Sequence, residues 1–269
     1  MALEIVVCVK QVPDPECSRD ALAISGDGLR VEPRGLSPVL SPFDENALEA
    51  ALRIKDSHAC GAVNVTVLSA GKKIARVVVE TALAVGADTF VKVEDERFVA
   101  EGLDSFATAS ILAAALKKLG RYDLVLAGRQ AADGNAGQAG VGVAHLLGLP
   151  VVTLARKVDV DGTRTIVERL TPEGYDRVRA SLPAFVVVSN EAGALRYPGI
   201  AQRKAARTKP VVAWSSADIG LQTLPRPRLR LLRLAPPATR QPHCVFLEGP
   251  TAADAGRELA QRLHRDGVL

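Results

Sequence analysis

Between residues 3 and 128 the chain alternates short apolar runs with segments of helical period, and no other feature narrows its fold as much. "LEIVVCVKQV" reads as a buried strand. "SPFDENALEAALRIKD" follows, with Ser41 or Asp44 placed to cap a helix whose Ala47, Leu48, Ala51, Leu52 and Ile54 share one face. The strand "VNVTVLSAG", the helical "KKIARVVVETALAVGA" stopping at Gly86, the strand "DTFVKVED", the helix "DSFATASILAAALKKLG" and the strand "YDLVLAGR" complete the series. Strands separated by helix-length crossovers pair in parallel and bury both faces, so the expected fold is α/β, a Rossmann-like parallel sheet with helices on both sides.

After Pro150 the period changes to two. "VVTLARKVDVDGTRTIVERL" reads as a hairpin about Asp161-Gly162, and "YDRVRASLPAFVVVS" supplies a further strand or two. From about residue 190 the sequence is loop-like and basic: residues 196–210 hold five basic side chains and no acid, and the Pro- and Arg-rich "PRPRLRLLRLAPPATR" starts at 225. A final helix within "TAADAGRELAQRLHRDG" has Thr251 as its cap. The expected organisation is a nucleotide-binding domain over 1–190 with a hairpin excursion, then a partner-recognition loop and extended C-terminal arm over 191–269.

Several functional classes fall away. No apolar run is long enough to span a bilayer, and "MALEIVVCVKQV" has no basic leader, so a cytoplasmic location is expected. Cys8, Cys17, Cys60 and Cys244 lack paired spacing and read as reduced thiols; His58, His145, His243 and His264 are scattered, giving no metal site. Lys and Arg number 34 against 30 Asp and Glu, and aromatic residues make up 4% of the chain, which disfavours a nucleic-acid partner. No nucleophile elbow, no Cys/His pair and no carboxylate cluster is present, so no catalytic residue is assigned. A chain of this kind holds a cofactor, and the cofactor carries the chemistry.

The cofactor-holding candidate is "GRQAADGNAGQAGVG", residues 128–142, where a strand passes into a helix through five glycines. Free N–H groups and a positive helix end at a sheet's carboxyl edge suit a phosphate. The segment is neither the G-x-G-x-x-G fingerprint after a first strand nor a P-loop with its lysine, and glycines serving tight packing are the competing explanation. Arg129 has the reach for a phosphate and Gln138 for a base or ribose. "LSAG" (68–71) and "CVKQVPDP" end the strands whose loops should meet Gly128. Ser105 and Thr108 sit in a first helical turn, where hydroxyls cap or bind a cofactor chain.

Taken in order, "VCVKQVPDP", "SPFDENALEAALRIKD", "VLSAG" with "TALAVGAD", "DLVLAGRQAADGNAGQAG" and "RYPGI" resemble the β subunit of electron-transfer flavoproteins over roughly residues 3–220. That resemblance implies an adenine nucleotide α-hydrolase-like core, an α-subunit partner carrying the main FAD, and a second nucleotide in the β subunit. Housekeeping members hold AMP with a D-D-D-x-N-Q-T-G loop; bifurcating members hold a second FAD with a loop nearer D-G-D-T-A-Q-V-G. The Asp133-Gly134 start and the helix start "GLDSFATAS" lie nearer the second kind, although Ala136 stands where the family has Thr; FAD is favoured and AMP is the alternative. The implied cofactor-binding residues are Cys8, Ser41, Phe43, Ala70, Ser105, Thr108, Gly128, Arg129, Gln130, Ala131, Asp133, Gly134, Asn135, Ala136, Gly137, Gln138, Ala139 and Gly140. Tyr197 and Ile200 are implied to dock a flavin dehydrogenase. The implied role is an electron carrier between a flavin dehydrogenase or NADH and a quinone-linked or low-potential acceptor, with NADH-dependent bifurcation within reach. A free-standing adenine-nucleotide-binding regulator of the universal-stress type is the rival reading.

Overall fold

A computed structural model of the chain describes residues 2–57, 62–99, 103–238 and 244–269. Cys60, His58 and His243 lie outside the described residues. The chain forms two compact units, Met1–Leu234 and Ala235–Leu269. In chain order the first contains β1 (Leu3–Cys8), β2 (Gln11–Val12), β3 (Leu22–Ile24), β4 (Val31–Pro33), β5 (Val39–Leu40), α1 (Pro42–Ser57), β6 (Val63–Gly71), α2 (Arg76–Val85) and β7 (Thr89–Glu94). It continues with α3 (Ser105–Leu119), β8 (Leu124–Gly128), α4 (Ala139–Leu147), β9 (Val151–Asp161), β10 (Arg164–Thr171), β11 (Gly174–Ser181), β12 (Ala184–Val188), α5 (Ile200–Ala206) and β13 (Val211–Trp214).

Among the described residues these strands build a nine-stranded sheet in the order β11-β10-β9-β12-β8-β1-β6-β7-β13. β12, β8, β1, β6, β7 and β13 run parallel, and the β9–β10–β11 meander is antiparallel, which is the mixed α/β fold expected from the alternation. Strand alternation sorts the core into two layers. Ile5, Val7, Val65, Leu124, Leu126 and Val186 face α1 and α2, packing with Ala47, Leu48, Val78 and Leu83. Val6, Cys8, Leu68, Val125, Ala127 and Phe185 face α3 and α4, packing with Ala109, Ile111, Leu116 and Val143. The five apolar positions picked out on α1 are all buried at 2% exposure or less.

Several local readings change. "LEIVVCVKQV" is two strands: β1 stops at Cys8, and Gln11–Val12 pairs with β5 in a separate ribbon. Neither Ser41 nor Asp44 caps α1 with its side chain; the Ser41 carbonyl accepts from the N–H groups of Asp44 and Glu45, and both side chains reach elsewhere. The stretch after residue 190 holds α5 and the parallel edge strand β13. In the second unit α6 (Ala252–Arg265) is capped by the Thr251 hydroxyl, which accepts from the Asp254 N–H, and none of its residues is buried.

Candidate functional site

From β1 the chain steps outward through β6 and β7, then returns to place β8 on the other side of β1. Loops leaving adjacent parallel strands in opposite directions open a crevice at the carboxyl edge, the place where open α/β sheets take ligands. The register aligns the ends: Cys8 pairs with both Leu68 and Ala127, and Gly128 with Val188. The loops after Cys8, Gly71 and Gly128 therefore issue side by side, as the sequence led us to expect.

The start of α1 plugs the base of this crevice. Asp44 accepts from the N–H of Lys10 at 2.8 Å and from the N–H of Gly128 at 3.0 Å, so one carboxylate joins the ends of β1 and β8. A side chain on Gly128 would stand 2.4 Å from the Phe43 carbonyl carbon and 2.6 Å from Asp44 Oδ1, which leaves room only for glycine. Asp44 is 7% exposed, and burial pushes its pKa up to about 7 against the opposing pull of the two N–H donors and the Lys10 ammonium. Cys8 is also buried, on the α3 and α4 side, and burial first and the Asp44 charge second push its thiol up to about 12. It stays an inert thiol, and what Cys8 offers a ligand is backbone.

Beyond Gly128 the loop is held from outside and open at its tip. The Arg129 N–H donates to the Val188 carbonyl at 2.9 Å, and its guanidinium lies over the Phe43 ring, 5.4 Å from the centroid. Arg129 Nε is buried and has no partner among the described residues. The Ala132 N–H points to the Ser41 hydroxyl at 3.4 Å, and Lys10 Nζ holds Asp133 at 2.6 Å. Gln130 Nε2 donates to Asn135 Oδ1 at 3.0 Å, and the Ala131 carbonyl accepts from the Asn135 N–H. The chain then turns through positive φ at Asn135 and Gly137 into α4, with Gln138 at the cap position. Among the described residues the N–H groups of Ala136 through Val141 have no acceptor.

Tight packing accounts for part of the glycine content. A Cβ on Gly140 would meet Phe185 and Val187 at 3.3 Å, and one on Gly142 would come within 2.9 Å of the Ala109 Cβ. Gly140 thus presents its hydrogen to β12 and only its N–H to a ligand. The Gly142–Ala109 contact brings the first turns of α3 and α4 side by side, so two positive helix ends share the edge.

On α3 the cap is Asp104, which accepts from the Ala107 N–H at 2.8 Å. This relieves Ser105 and Thr108 of the capping role: both are partly exposed, and neither hydroxyl has a hydrogen bond among the described residues. The other Asp104 oxygen takes the N–H groups of Arg228 and Leu229 and lays the later chain across this turn, with the Arg228 guanidinium 4.1 Å from the Phe106 ring centroid. Ala70, next to last in β6, is half-buried and packs against the core layer that includes α3.

The Tyr197–Ile200 region is a separate surface. Tyr197 is 93% and Ile200 89% exposed, on a loop stapled to the outer side of α1. Buried Glu49 receives Arg196 Nε and Nη2, each at 3.0 Å, Asp56 receives Nη1 at 2.7 Å, and Arg53 and Asn46 bond the carbonyls of Ala192 and Gly193. Burial pushes Glu49 up, but the Arg196 hydrogen bonds outweigh it and hold the carboxyl below its usual range. Sequence reasoning passed over Asp44, Asp104 and Glu49; for Asp44 the only signal was an acid three residues after Ser41, read as a cap.

Among the described residues no group of three or more His, Cys, Asp or Glu side chains is arranged to hold a metal, and no helix is long and apolar enough to cross a membrane. Residues 29–219 match the family model described as Electron transfer flavoprotein domain. Relatives include an Electron transfer flavoprotein subunit beta from Clostridium acetobutylicum, 38% identical over 81% of this chain and 80% of the relative. The Caffeyl-CoA reductase-Etf complex subunit CarD from Acetobacterium woodii is 35% identical over 81% of this chain and 80% of its own length. Protein FixA from Azorhizobium caulinodans is 32% identical over 99% of this chain and 96% of its own.

Proposed function

The chain belongs to the electron transfer flavoprotein family, in its β-subunit branch, and from that premise we propose that it binds an adenine nucleotide at the β1/β8 crevice. The single observation that carries this reading is the pairing of two helix starts at the edge: N–H groups from Ala136 to Val141 on one and Ser105 and Thr108 hydroxyls on the other, all without a partner among the described residues. Backbone N–H groups and the α4 dipole bind phosphate, and Arg129, its Nε lacking a partner, adds a full positive charge. Gln138 is exposed at the cap position and is free to meet a base or ribose.

FAD is favoured over AMP in this site. The α3 hydroxyls stand on the helix beside the α4 loop, not within it, and a dinucleotide offers groups for both. Bound flavin supplies redox chemistry that no side chain at these positions offers. The protein's part is to hold and orient it, and to exclude water from the buried base of the crevice.

The partner is an electron transfer flavoprotein α subunit. Apolar residues of the later chain lie exposed: Leu229 and Leu232 in the first unit, Phe246 at 84% and Leu269 at 75% in the second. We assign these surfaces of the arm to the α subunit and the Tyr197–Ile200 loop to a flavin dehydrogenase; the Acetobacterium woodii relative is named for a complex with a caffeyl-CoA reductase. Electrons pass from such a dehydrogenase or from NADH to a quinone-linked or low-potential acceptor. The β-subunit relatives displace the free-standing regulator.

The test is a count of cofactors. Acid release from the complex co-purified with its α subunit should yield two FAD per heterodimer; one FAD with one AMP would assign AMP to the β site. A complex holding no nucleotide beyond the FAD of the α subunit would overturn the reading.

A further inference from the structure

We propose that Asp44 is a positioning residue: by accepting at once from the N–H groups of Lys10 and Gly128 it fixes the ends of β1 and β8, and with them the loop that retains the nucleotide, making retention pH-dependent. This rests on the nucleotide reading above and adds to it a role for a side chain that no ligand touches. Asp44 works from beneath the loop at two points, and its neighbour Ser41 adds a third. Its Oδ1 holds Gly128, the last residue before the loop; its Oδ2 holds the backbone of Lys10, whose ammonium clamps Asp133; and Ser41, three residues earlier, receives the Ala132 N–H. The free N–H groups that follow are aimed by this scaffold.

An ionised carboxylate accepts both N–H groups, whereas a protonated one must turn an O–H toward one of them and lose that bond. The charged and titratable groups around it are Cys8 from β1, Lys10 beyond it, and Asp133 from the loop after β8. Cys8 stays neutral, because burial holds its thiol near 12. Lys10 favours the Asp44 anion and Asp133 opposes it, and burial, the largest influence, carries the proton equilibrium to about 7. The exchange therefore falls where pH varies in a cell. A phosphate at residues 136–141, exposed except at Ala139 and Gly140, also repels the anion, but solvent screens it; the two N–H contacts lie in the dry interior and dominate.

The direction follows. Retention is strongest above pH 7 and weakens as pH falls and Asp44 takes up a proton. By reciprocity, nucleotide binding near pH 7 releases a proton from Asp44. The experiment uses the complete complex with its α subunit, stripped and reloaded with FAD or AMP, whichever the cofactor count returns. Nucleotide release should be on the order of tenfold faster at pH 6 than at pH 8, the loss of one charge-assisted hydrogen bond. Calorimetry in two buffers of different ionisation enthalpy should register the released proton. Asp44→Asn should remove the Asp44 share of this dependence. Loaded with FAD, whose phosphates do not titrate in this range, it should release nucleotide at one rate and release no proton on binding; loaded with AMP, it should keep only the dependence of the phosphate itself, which titrates at about 6. Release in the wild-type complex that is flat from pH 6 to 8, or faster at high pH, overturns the proposal even if the Asn variant fails to fold. A wild-type complex that never holds nucleotide in this chain sinks the binding reading instead.

Discussion

The β1/β8 crevice and the Tyr197–Ile200 loop, which we propose as the nucleotide and dehydrogenase surfaces, are made in opposite ways. In the crevice the side chains are spent on the scaffold, with Asp44 and Ser41 turned inward and Lys10 clamping Asp133 at the surface, and the offered groups are mostly backbone N–H. On the loop the backbone is stapled through Glu49, Arg196 and Arg53, and the offered groups are side chains projecting almost fully into solvent. A ligand common to many proteins can be read by backbone, which any sequence carries; a protein partner has to be read by side chains. Lesions in one surface should thus spare the other.

The largest effect is expected at Gly128. Gly128→Val drives a side chain into the Phe43 carbonyl and the Asp44 carboxylate, and should cost roughly 3 kcal/mol of stability along with the bound nucleotide, read by thermal melts and cofactor content. A variant with normal melting would show that the crevice base yields, and the contrast would weaken. Ile200→Ala comes next: about 2 kcal/mol of dehydrogenase docking should vanish, seen as a raised KM for the partner, with cofactor content and Tm unchanged because the residue is 89% exposed.

Glu49→Gln tests the staple beneath the loop. It should cost about 1–2 kcal/mol and change the acid limb of stability. Arg196 holds the Glu49 pKa below its unfolded value, so this contribution is full above about pH 4.5 and disappears as pH falls through the lowered folded value. Denaturant titrations at pH 3 to 6 should show wild type losing stability on acidification more steeply than the variant. The smallest effect is expected for Thr108→Val, which removes an unpartnered hydroxyl. Nucleotide affinity should fall by about 1 kcal/mol, roughly fivefold in Kd, with no change in Tm. Unchanged affinity would confine the ligand to the α4 loop and favour the shorter nucleotide.

The parts of the molecule visible in the sequence are those whose cause is local. Strand β6 over Val63–Gly71 and the helix ends at Gly86 and Gly120 follow from neighbouring residues, as does the Thr251 cap. Even the position of the crevice follows, since a strand, a glycine-rich turn and a helix are consecutive. What stayed hidden is joined across sequence. Asp44 meets Gly128 over 84 residues and Asp104 meets Arg228 over 124, distances at which no spacing rule operates. α5 has seven residues and no acid in its first turn, and its start is set by the Gly199 N–H bonding Gln202 Oε1, a contact too short-lived in periodicity to announce a helix. β13 is a four-residue apolar run, Val211–Trp214, at a sheet edge and mostly exposed; it is short and follows the basic 196–210 stretch, and its pairing with β7 joins residues more than a hundred positions apart. The glycines were seen but not sorted: which serve packing depended on Phe43, Phe185 and Ala109, all supplied from afar.

β12 has a consequence for how the molecule comes into being. It lies between β8 and β9, so the outer edge of β8 stays bare until Ala184–Val188 has been made. About sixty residues separate the ends of the two strands, which at ribosomal speeds of 5–20 residues per second is roughly 3–12 s of waiting. During that interval the nascent chain carries "LVLAG", with a partner in β1 on one side only, as an open apolar edge at what will become the middle of its sheet. The β9–β10–β11 meander grows out in the same interval, and its local antiparallel pairing needs no distant partner to begin. Closure of the crevice is thus among the last events of synthesis, and a pause or truncation before residue 184 would leave a chain that has its helices and hairpin but sticks to others through β8.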